Sequence, residues 1–353
     1  MRKTPGTDQA VAPTVGAAEG RREDGRFSLV EAAQAGVAGA AALPVTPPTV
    51  QLPGAPTHTA TGSAAPDLQP YLDSAPLRAL DRYEILGEHG RGGIGRVSRA
   101  HDRELGREVA IKELISRGRL SEARFLREAL ITARLEHPGI VPVHEAGRWP
   151  DGTPFYAMKL VAGRPLRDLI AERPTVDQRV GLLHHVIAVA DAIAYAHGRN
   201  IIHRDLKPAN VIVGDFGETI VIDWGLAKDL SATEDTFDEG GPFREVHDRE
   251  LTRAGAVLGT PAYMAPEQER GERVDQRADV FAIGAMLWEL CSLQKTPPTN
   301  LRQRNRILRR AGIDQDLAVI INKALDPDRD RRYPGAGALA ADLKAFKSGA
   351  RIA

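Results

Sequence analysis

The order of residue patterns along this chain limits its possible folds more than any other feature. Strand-like runs begin at Tyr83 and cover residues 83–87, 95–100 and 108–114. After these runs, most apolar residues follow the spacing of helices. Strands followed by helices are typical of α+β proteins, in which the sheet and the helices are segregated. The sequence therefore predicts a small β-dominated lobe followed by a larger α-dominated lobe.

Two helix starts can be located from capping residues. Ser121 is a typical N-cap residue, and it predicts a helix that runs through Leu135 and stops before a proline. Thr175 and Gln178 have the spacing of a capping box. The helix that they open is predicted to end at Gly198.

The residues before the first strand have a different composition. Residues 1–78 are rich in Ala, Gly, Pro and Thr and contain almost no aromatic side chains. Such a segment cannot bury enough apolar surface to offset the entropy lost on ordering. The predicted organisation is a disordered tail at 1–78, an N-lobe with its hinge at 79–161, a C-lobe at 162–347 and a short tail at 348–353.

Overall composition narrows the expected partners. Lys and Arg number 47, Asp and Glu also number 47, and the formal net charge is zero. No global field therefore attracts nucleic acid or an anionic membrane. The single cysteine, Cys291, lies in an apolar run, where it resembles a buried hydrophobic residue and fits a reducing compartment. With no run of about 18 uncharged apolar residues and no secretory signal, we expect a cytoplasmic protein without a membrane span.

A glycine-rich segment joins the first two strand-like runs. Gly90, Gly92, Gly93 and Gly95 lead into Val97 in the pattern G-x-G-x-x-G-x-V. Glycines allow backbone N–H groups to approach phosphate oxygens without steric interference from a Cβ atom. Alone, the pattern is equally typical of a flexible hairpin. Because a strand rather than a helix follows, it favours a flap over nucleotide phosphates instead of a dinucleotide-binding fold.

A lysine stands at the end of the next strand-like run. Lys112 follows Gly95 by 17 residues. An isolated lysine of this kind is more often a solvated edge residue. The spacing, however, favours a position beneath the glycine loop, against the α- and β-phosphates. Glu128, in the following predicted helix, is the candidate carboxylate that would hold the ammonium group, whereas Glu122 in the first turn is expected to stabilise the helix dipole.

The most specific motif lies between residues 202 and 210. The string H-R-D-L-K-P-A-N resembles the catalytic loop of bacterial eukaryotic-like (Hanks-type) Ser/Thr protein kinases. This resemblance implies that Asp205 accepts the proton of the substrate hydroxyl, that Lys207 contacts the transferring phosphate, and that Asn210 holds a metal ion. The lysine two residues after the aspartate resembles the catalytic loop of Ser/Thr kinases, whereas the loop of tyrosine kinases differs at this position.

Two D-x-G strings follow the catalytic-loop motif. The D-F-G at 215–217 falls in the predicted turn of a short hairpin. The return strand leads to D-W-G at 223–225, and antiparallel pairing brings the end of that strand beside Asn210. Both metal ligands must serve one site. We therefore assign magnesium to Asn210 and Asp223.

Other segments extend the resemblance. The string G-T-P-A-Y-M-A-P-E at 259–267 resembles the kinase segment that holds a substrate peptide. The resemblance implies that Thr260 hydrogen-bonds the catalytic aspartate and lysine, and that Glu267 pairs with Arg332 late in the domain. Asp279 matches the buried aspartate that tethers the catalytic loop. Glu267, Arg332 and Asp279 are interpreted as structural residues that do not take part in the chemistry.

Residues 156–161 resemble the hinge that links the two kinase lobes. The resemblance implies a gatekeeper at Met158 and adenine binding by the backbones of Lys159 and Val161. Val97 and Ala110 complete the expected nucleotide-binding set.

Two residues depart from the family pattern. His89 stands where an aliphatic residue usually covers adenine, which is expected to weaken nucleotide affinity. Trp224 replaces the usual Phe and is expected to alter the balance between active and inactive forms. Neither change removes a catalytic group.

Taken over residues 83 to about 347, the resemblance implies a two-lobed α+β protein kinase fold, with one regulatory helix in the small lobe. It implies transfer of the γ-phosphate of ATP to Ser or Thr hydroxyls of protein substrates. The expected cofactor is Mg²⁺, with Mn²⁺ able to substitute. Autophosphorylation of the activation loop, with dimerisation to support it, is a further expectation, and no nucleic-acid partner is expected.

Two other functions remain as alternatives. A non-catalytic pseudokinase scaffold would lack at least one of the residues Lys112, Asp205, Asn210 and Asp223, and the chain retains all four. A small-molecule phosphotransferase of related fold would generally lack the peptide-holding segment at 259–267. A basic run at 301–310 is interpreted as a solvated helix face rather than a docking site for an acidic partner.

The segment between Asp223 and Glu267 contains 43 residues, which is long for this family. Its insert at 232–248 is acidic and broken by glycines, so we expect it to be mobile. Thr252, eight residues before Thr260, is the favoured regulatory phosphorylation site, since the other candidates, Thr233 and Thr236, lie among acidic residues. The alternative is that Thr252 is an ordinary loop residue. A phosphate on Thr252 would form charge-assisted hydrogen bonds with Arg204.

Overall fold

The structure is a computed structural model that describes residues 76–91, 95–116, 118–231 and 261–352. Several predicted features lie outside these ranges: the tail up to residue 75, Gly92, Gly93, the insert at 232–248, Thr252 and Thr260.

The first lobe is built on a five-stranded antiparallel sheet with the strand order β1-β2-β3-β5-β4. The strands are β1 (Tyr83–Arg91), β2 (Gly95–Asp102), β3 (Arg107–Leu114), β4 (Val143–Arg148) and β5 (Pro154–Lys159). Successive side chains of a strand point to opposite faces. In β5, Phe155 and Ala157 accordingly join one buried cluster, whereas Tyr156 joins a second cluster on the opposite face.

One long helix, α1 (Arg119–Ala133), covers that second face. Its residues Phe125 and Ala129 are buried against Tyr156. The prediction that Ser121 caps this helix is wrong. The chain enters the helix at Gly118, whose φ of 144° is accessible to glycine and strained for other residues, so Ser121 lies inside the first turn.

The sheet is extended at its β4 edge by residues that the sequence assigned to the tail. Leu77 forms a parallel bridge with Arg148. The Arg78 N–H donates to the Arg148 carbonyl at 2.9 Å, and the Arg148 N–H donates to the Pro76 carbonyl at 3.0 Å. The first lobe therefore includes residues that lie before its predicted boundary.

The second lobe is predominantly helical, as the sequence predicted. Its helices are α2 (Leu166–Ala171), α3 (Val176–Val180), α4 (Leu183–His197), α5 (Pro266–Glu269), α6 (Arg277–Ser292), α7 (Leu301–Arg310), α8 (Gln315–Ala324) and α9 (Ala336–Ser348). Short strands are β6 (Arg164–Pro165), β7 (Ile201–Ile202), β8 (Val211–Val213), β9 (Thr219–Val221) and β10 (Lys228–Asp229). Almost every residue of α6 is buried, so this helix forms the centre of the lobe.

The helix predicted from the capping box is interrupted. The capping box itself is present, because Thr175 Oγ1 accepts from the Gln178 N–H and the Gln178 side chain accepts from the Thr175 N–H. Helix α3 then stops at Val180, and α4 starts after a turn that contains Gly181. The end was predicted correctly, since Gly198 is the C-cap residue of α4.

The segment Val176–His197 is long and apolar enough to cross a membrane, with a mean hydropathy of 1.3 over its most apolar window. The sequence had led us to expect no such segment. More than half of that window, 56%, is buried inside the fold. The buried residues of α4 belong to the same cluster as those of α6 and α9, so the apolar character serves the core.

Cys291 lies in this core with no exposed surface. Burial raises the pKa of its thiol to about 12, so the side chain stays protonated and behaves as the small hydrophobic residue that the sequence predicted.

A buried ion pair joins the start of α5 to the far end of the lobe. Arg332 Nη1 donates to Glu267 Oε1 at 2.6 Å, and Nη2 donates to Glu267 Oε2 at 2.8 Å. The exposed fractions of these side chains are 0% and 2%. Backbone carbonyls accept from the remaining guanidinium donors, including that of Asp326 at 2.7 Å. The predicted pairing is present, and its buried charges are fully hydrogen-bonded.

We expect Arg332→Met to lower the free energy of unfolding by about 3–5 kcal/mol, because the Glu267 carboxylate would be left buried without its cation. Urea denaturation followed by circular dichroism measures this change. The control is Arg164→Met, which breaks an ion pair with Glu172 on the surface and should cost far less. Equal losses in the two variants would contradict the structural role of the buried pair.

Candidate active site

The hairpin formed by β8 and β9 separates the two D-x-G strings. Val211 pairs with Val221, and the turn between the strands carries the D-F-G at 215–217. Phe216 is 98% exposed, so this string lies in solvent. The chain leaves β9 toward Asp223, and the Ile222 N–H donates to the Asn210 carbonyl at 2.9 Å. The predicted hairpin is present.

The ammonium group of Lys112 holds two separate segments of the site together. Lys112 Nζ lies 2.5 Å from Glu128 Oε1 on α1 and 3.7 Å from Asp223 Oδ1 after β9. Burial lowers the pKa of Lys112, but the carboxylates of Glu128 and Asp223 outweigh this effect and leave the pKa above its usual value. The side chain is therefore a cation at any physiological pH.

The catalytic-loop residues form a second hydrogen-bonded group. Lys207 Nζ donates to Asp205 Oδ2 at 2.6 Å. The Asn210 amide nitrogen donates to Asp205 Oδ2 at 3.3 Å and to the Asp205 carbonyl at 2.9 Å. This arrangement engages the nitrogen of the Asn210 amide and leaves its oxygen as the atom that could hold a metal ion.

A buried aspartate on α6 fixes the backbone of the catalytic loop. Asp279 Oδ2 accepts from the His203 N–H and Oδ1 accepts from the Arg204 N–H, both at 2.9 Å. The predicted tether is thus present. His197 Nε2 adds a third bond to Asp279 at 2.9 Å, which sequence reasoning missed. Burial raises the pKa of Asp279, but these hydrogen bonds and the nearby histidines outweigh that effect and bring the pKa below its usual range.

Two residues of the site adopt left-handed backbone conformations. Arg204 has a φ of 68° and Asp223 a φ of 65°. Such conformations cost roughly 1–3 kcal/mol in residues other than glycine and persist where surrounding contacts enforce them. For Arg204 those contacts are the bond from its N–H to Asp279 and the bond from its Nε to the Leu226 carbonyl at 2.6 Å. The strain lies in the predicted catalytic loop and at the aspartate that the sequence assigned to magnesium.

Gly95, the last glycine of the glycine-rich segment, lies against the lysine. A Cβ atom at Gly95 would lie 3.0 Å from the Glu113 carbonyl oxygen and 3.5 Å from Lys112 Cε. The close approach of the two strands therefore favours glycine at this position. Val97 pairs directly with Lys112 across β2 and β3. His89 lies at a bulge of β1 and is exposed.

The predicted hinge residues follow the end of β5. Met158 pairs with Ala110 of β3, so these two residues of the expected nucleotide-binding set are neighbours. The Lys159 N–H donates to the Pro142 carbonyl at 3.0 Å, which leaves its carbonyl group for a ligand. Val161 is partly exposed after the strand.

Trp224 is buried, with 1% of its surface exposed. Its ring centroid lies 4.6 Å from that of His203 in the catalytic loop. It belongs to the buried cluster that also contains Ile131 and Leu135 from the α1 region. The tryptophan therefore links the D-W-G string to the core shared by both lobes.

The residues assigned to magnesium fit that ion. Asn210 and Asp223 offer amide and carboxylate oxygens, which are the hard ligands that Mg²⁺ prefers. The Asp223 side chain is 48% exposed and is therefore open to a ligand. Within the described ranges, no group of three or more His, Cys, Asp or Glu side chains could form a complete metal site. Two protein ligands are typical of magnesium bound together with substrate phosphates.

Tyr156 is a site residue that sequence reasoning named only as part of the hinge. Its hydroxyl donates to Glu128 Oε1 at 2.8 Å, within the buried face under α1. The signal that could have identified it is the period-2 alternation of β5, which places Tyr156 on the face opposite Phe155.

Comparison with protein families matches residues 83–346 to the family described as "Protein kinase domain". A probable serine/threonine-protein kinase of Streptomyces coelicolor is 35% identical over 292 residues, which cover 78% of this chain and 41% of that protein. The DNA damage-responsive serine/threonine-protein kinase RqkA of Deinococcus radiodurans is 42% identical over 216 residues, covering 59% of this chain and 29% of that protein. The chain thus spans less than half of the length of these curated relatives.

A solved structure has the same fold. The crystal structure of the Mycobacterium tuberculosis PknI kinase domain is 25% identical, with a TM-score of 0.54. The similarity covers 74% of this chain and 95% of that one. The two-lobed fold that the sequence predicted is confirmed.

The two D-x-G strings generate a direct test. We expect Asp223→Ala to weaken Mn²⁺ binding in the presence of ADP by about tenfold or more, because it removes a charged ligand. Electron paramagnetic resonance of free Mn²⁺ measures this affinity. Asp215→Ala is the matched control and should bind like the wild type, since Asp215 lies in the solvent-exposed turn. A loss confined to the Asp215 variant would reverse the assignment.

Proposed function

The chain belongs to the protein kinase family, and from this premise we propose that it transfers the γ-phosphate of ATP to Ser and Thr hydroxyls of protein substrates. The observation that carries the proposal is the proximity of two residue groups. Lys112 contacts both Glu128 and Asp223, while Asp205, Lys207 and Asn210 form one hydrogen-bonded set. The backbone bond from Ile222 to Asn210 joins the two groups.

Lys112 is proposed to bind the α- and β-phosphates of ATP. Its permanent positive charge suits a phosphate ligand, and its bond to Glu128 fixes the ammonium group before the nucleotide arrives. Gly95 packs closely on the lysine, and we propose that the glycine-rich segment that it ends covers the same phosphates. We assign Gly90, Gly92 and Gly93 to that segment as well.

Asp205 is proposed to be the group that accepts the proton of the substrate hydroxyl. Among the described residues, both of its side-chain donors reach Oδ2, which leaves Oδ1 for the incoming hydroxyl. The bond from the hydroxyl oxygen to the γ-phosphorus then forms while the bond from that phosphorus to the leaving oxygen of ADP breaks. Lys207, bonded to Asp205, supplies positive charge next to the transferring phosphate.

Asn210 and Asp223 are proposed to hold Mg²⁺, and Mn²⁺ can substitute. When bound, the metal ion neutralises the charge that develops on the phosphate oxygens. Bonds to Asp205 hold the Asn210 side chain, and the bond from the Ile222 N–H to the Asn210 carbonyl keeps the chain before Asp223 beside it.

Protein substrates are proposed to bind along the segment that precedes α5. The described part of that segment begins with the short helix Pro261–Tyr263, and α5 is anchored by the buried pair of Glu267 with Arg332. We propose that Thr260 contacts Asp205 and Lys207. Preference for Ser and Thr is supported by Lys207 and by the similarity to serine/threonine-protein kinases of Streptomyces coelicolor and Deinococcus radiodurans. We place the activity in the cytoplasm, where ATP is available.

We expect Asp205→Asn and Lys112→Met each to lower phosphate transfer by about 10²–10⁴-fold, because the variants remove the proton acceptor or the phosphate-binding cation rather than core volume. Radiolabelled γ-phosphate transfer, with sites mapped by mass spectrometry, measures the effect. Asp215→Asn serves as the control. Activity retained in Asp205→Asn would contradict the proposal, and an inactive wild type that still binds ATP would favour a pseudokinase.

We also propose that autophosphorylation of Thr252, aided by dimerisation, raises activity. Arg204 is the proposed partner of this phosphate, because its side chain lies beside the start of the activation segment, bonded to the Leu226 carbonyl. Thr252→Ala should lower the rate several-fold, as judged by substrate phosphorylation. Thr236→Ala should leave the rate nearly unchanged. A fully active preparation that carries no phosphate on Thr252 would exclude this switch.

A further inference from the structure

The Lys112–Glu128 pair has a third member in this protein. Tyr156 and Lys112 are directly opposite each other in the register of β3 and β5. The Tyr156 hydroxyl donates to Glu128 Oε1 at 2.8 Å, and Lys112 Nζ reaches the same oxygen at 2.5 Å. Lys112 Nζ also lies 5.8 Å from the centroid of the tyrosine ring. One tyrosine therefore contacts both members of the pair.

The carboxylate that receives these bonds is deeply buried. Glu128 is 3% exposed, and among the described residues its other oxygen, Oε2, has no hydrogen-bond partner. Among the described residues, both side-chain donors to this carboxylate, Lys112 and Tyr156, thus bond Oε1. A buried carboxylate that loses one of two donors bears a larger desolvation cost and is held less firmly.

Glu128 Oε2 lies beside the D-W-G string. A Cβ atom at Gly225 would lie 3.4 Å from Glu128 Oε2 and 3.3 Å from Asp223 Oδ1. The Glu128 and Asp223 carboxylates therefore lie next to the same glycine, while the Tyr156 hydroxyl bonds the other Glu128 oxygen, Oε1, from the sheet.

The donor is itself rigid. Tyr156 is 3% exposed, and its ring packs against Phe125 of α1 with centroids 5.2 Å apart. Burial and the adjacent Glu128 raise the pKa of Tyr156 well above its usual value, so the hydroxyl keeps its proton and remains a donor.

We propose that the Tyr156 hydroxyl is a positioning residue that holds Glu128 in the orientation in which it binds Lys112. Tyr156 does not touch substrate and acts through the pair. The inference rests on the proposed function, since the pair matters because Lys112 binds ATP. In this proposal, a hydrogen bond from Tyr156 of β5 holds α1 against the sheet, in addition to the ion pair between Lys112 and Glu128.

The test is Tyr156→Phe, which removes the hydroxyl and preserves the ring packing against α1. We expect the affinity for Mg²⁺ with a non-hydrolysable ATP analogue to fall about tenfold, and kcat/KM for ATP to fall by a similar factor. Isothermal titration calorimetry measures the first quantity and steady-state kinetics the second. An unchanged affinity would overturn the proposal.

The matched control is Tyr83→Phe. Tyr83 is also 3% exposed, and its hydroxyl donates to Glu145 Oε1 at 2.5 Å in the same sheet, in a separate buried cluster. Its removal should lower stability without changing nucleotide affinity. If the two variants weaken nucleotide binding equally, the effect of Tyr156 is general destabilisation and the proposal fails.

A second arm separates positioning from other effects. In a Lys112→Met background, Tyr156→Phe should cause no further loss of nucleotide affinity, because its action passes through Lys112. A loss of the same size in this background would contradict the proposal. A wild type that binds nucleotide but transfers no phosphate would refute the proposed function. The positioning role of Tyr156 could still be tested in that case, because nucleotide affinity is measured directly.

Discussion

The three hydrogen bonds received by the Asp279 carboxylate are the contacts on which the site depends. They come from the backbone of His203 and Arg204 and from the side chain of His197. A carboxylate with no exposed surface would be costly alone, and here it is satisfied by groups that must occupy fixed positions. The tether includes Arg204, which has a left-handed conformation and directly precedes Asp205. The almost wholly buried helix α6 thus fixes the backbone of the predicted catalytic loop.

A second set of charges joins the two lobes. Lys112 belongs to the sheet, Glu128 to the covering helix, and Asp223 to the chain that leaves the hairpin of the helical lobe. Like charges on the two acids make the cation necessary to both. Tyr156 adds a neutral donor to the same carboxylate oxygen. The small lobe therefore contributes a hydrogen-bonded arrangement to this link, and not only a point charge.

Sequence reasoning succeeded where chemistry and spacing coincide. The hairpin that separates Asp215 from Asp223 was predicted correctly from short-range pattern, since strands of three residues leave few alternatives. The assignment of magnesium to Asp223 stays a prediction. Sequence reasoning failed at the start of α1, where the helix is entered through Gly118 rather than capped by Ser121. Capping propensity is local, whereas the entry point of this helix is set by the sheet on which it packs.

By itself the sequence determined the two-lobed class, the order of the elements and the residues that are proposed to carry the chemistry. Each depends on residue type and on separations of a few residues, which local physics controls. Only the tertiary structure decided which partners those groups have. The bond between His197 and Asp279 joins residues 82 positions apart and depends on helix packing. The bond between Tyr156 and Glu128 joins residues 28 positions apart and depends on strand register and on the packing of α1. Contacts over such separations are fixed by how the faces of the elements meet, because a side chain's neighbours in space are not its neighbours in sequence.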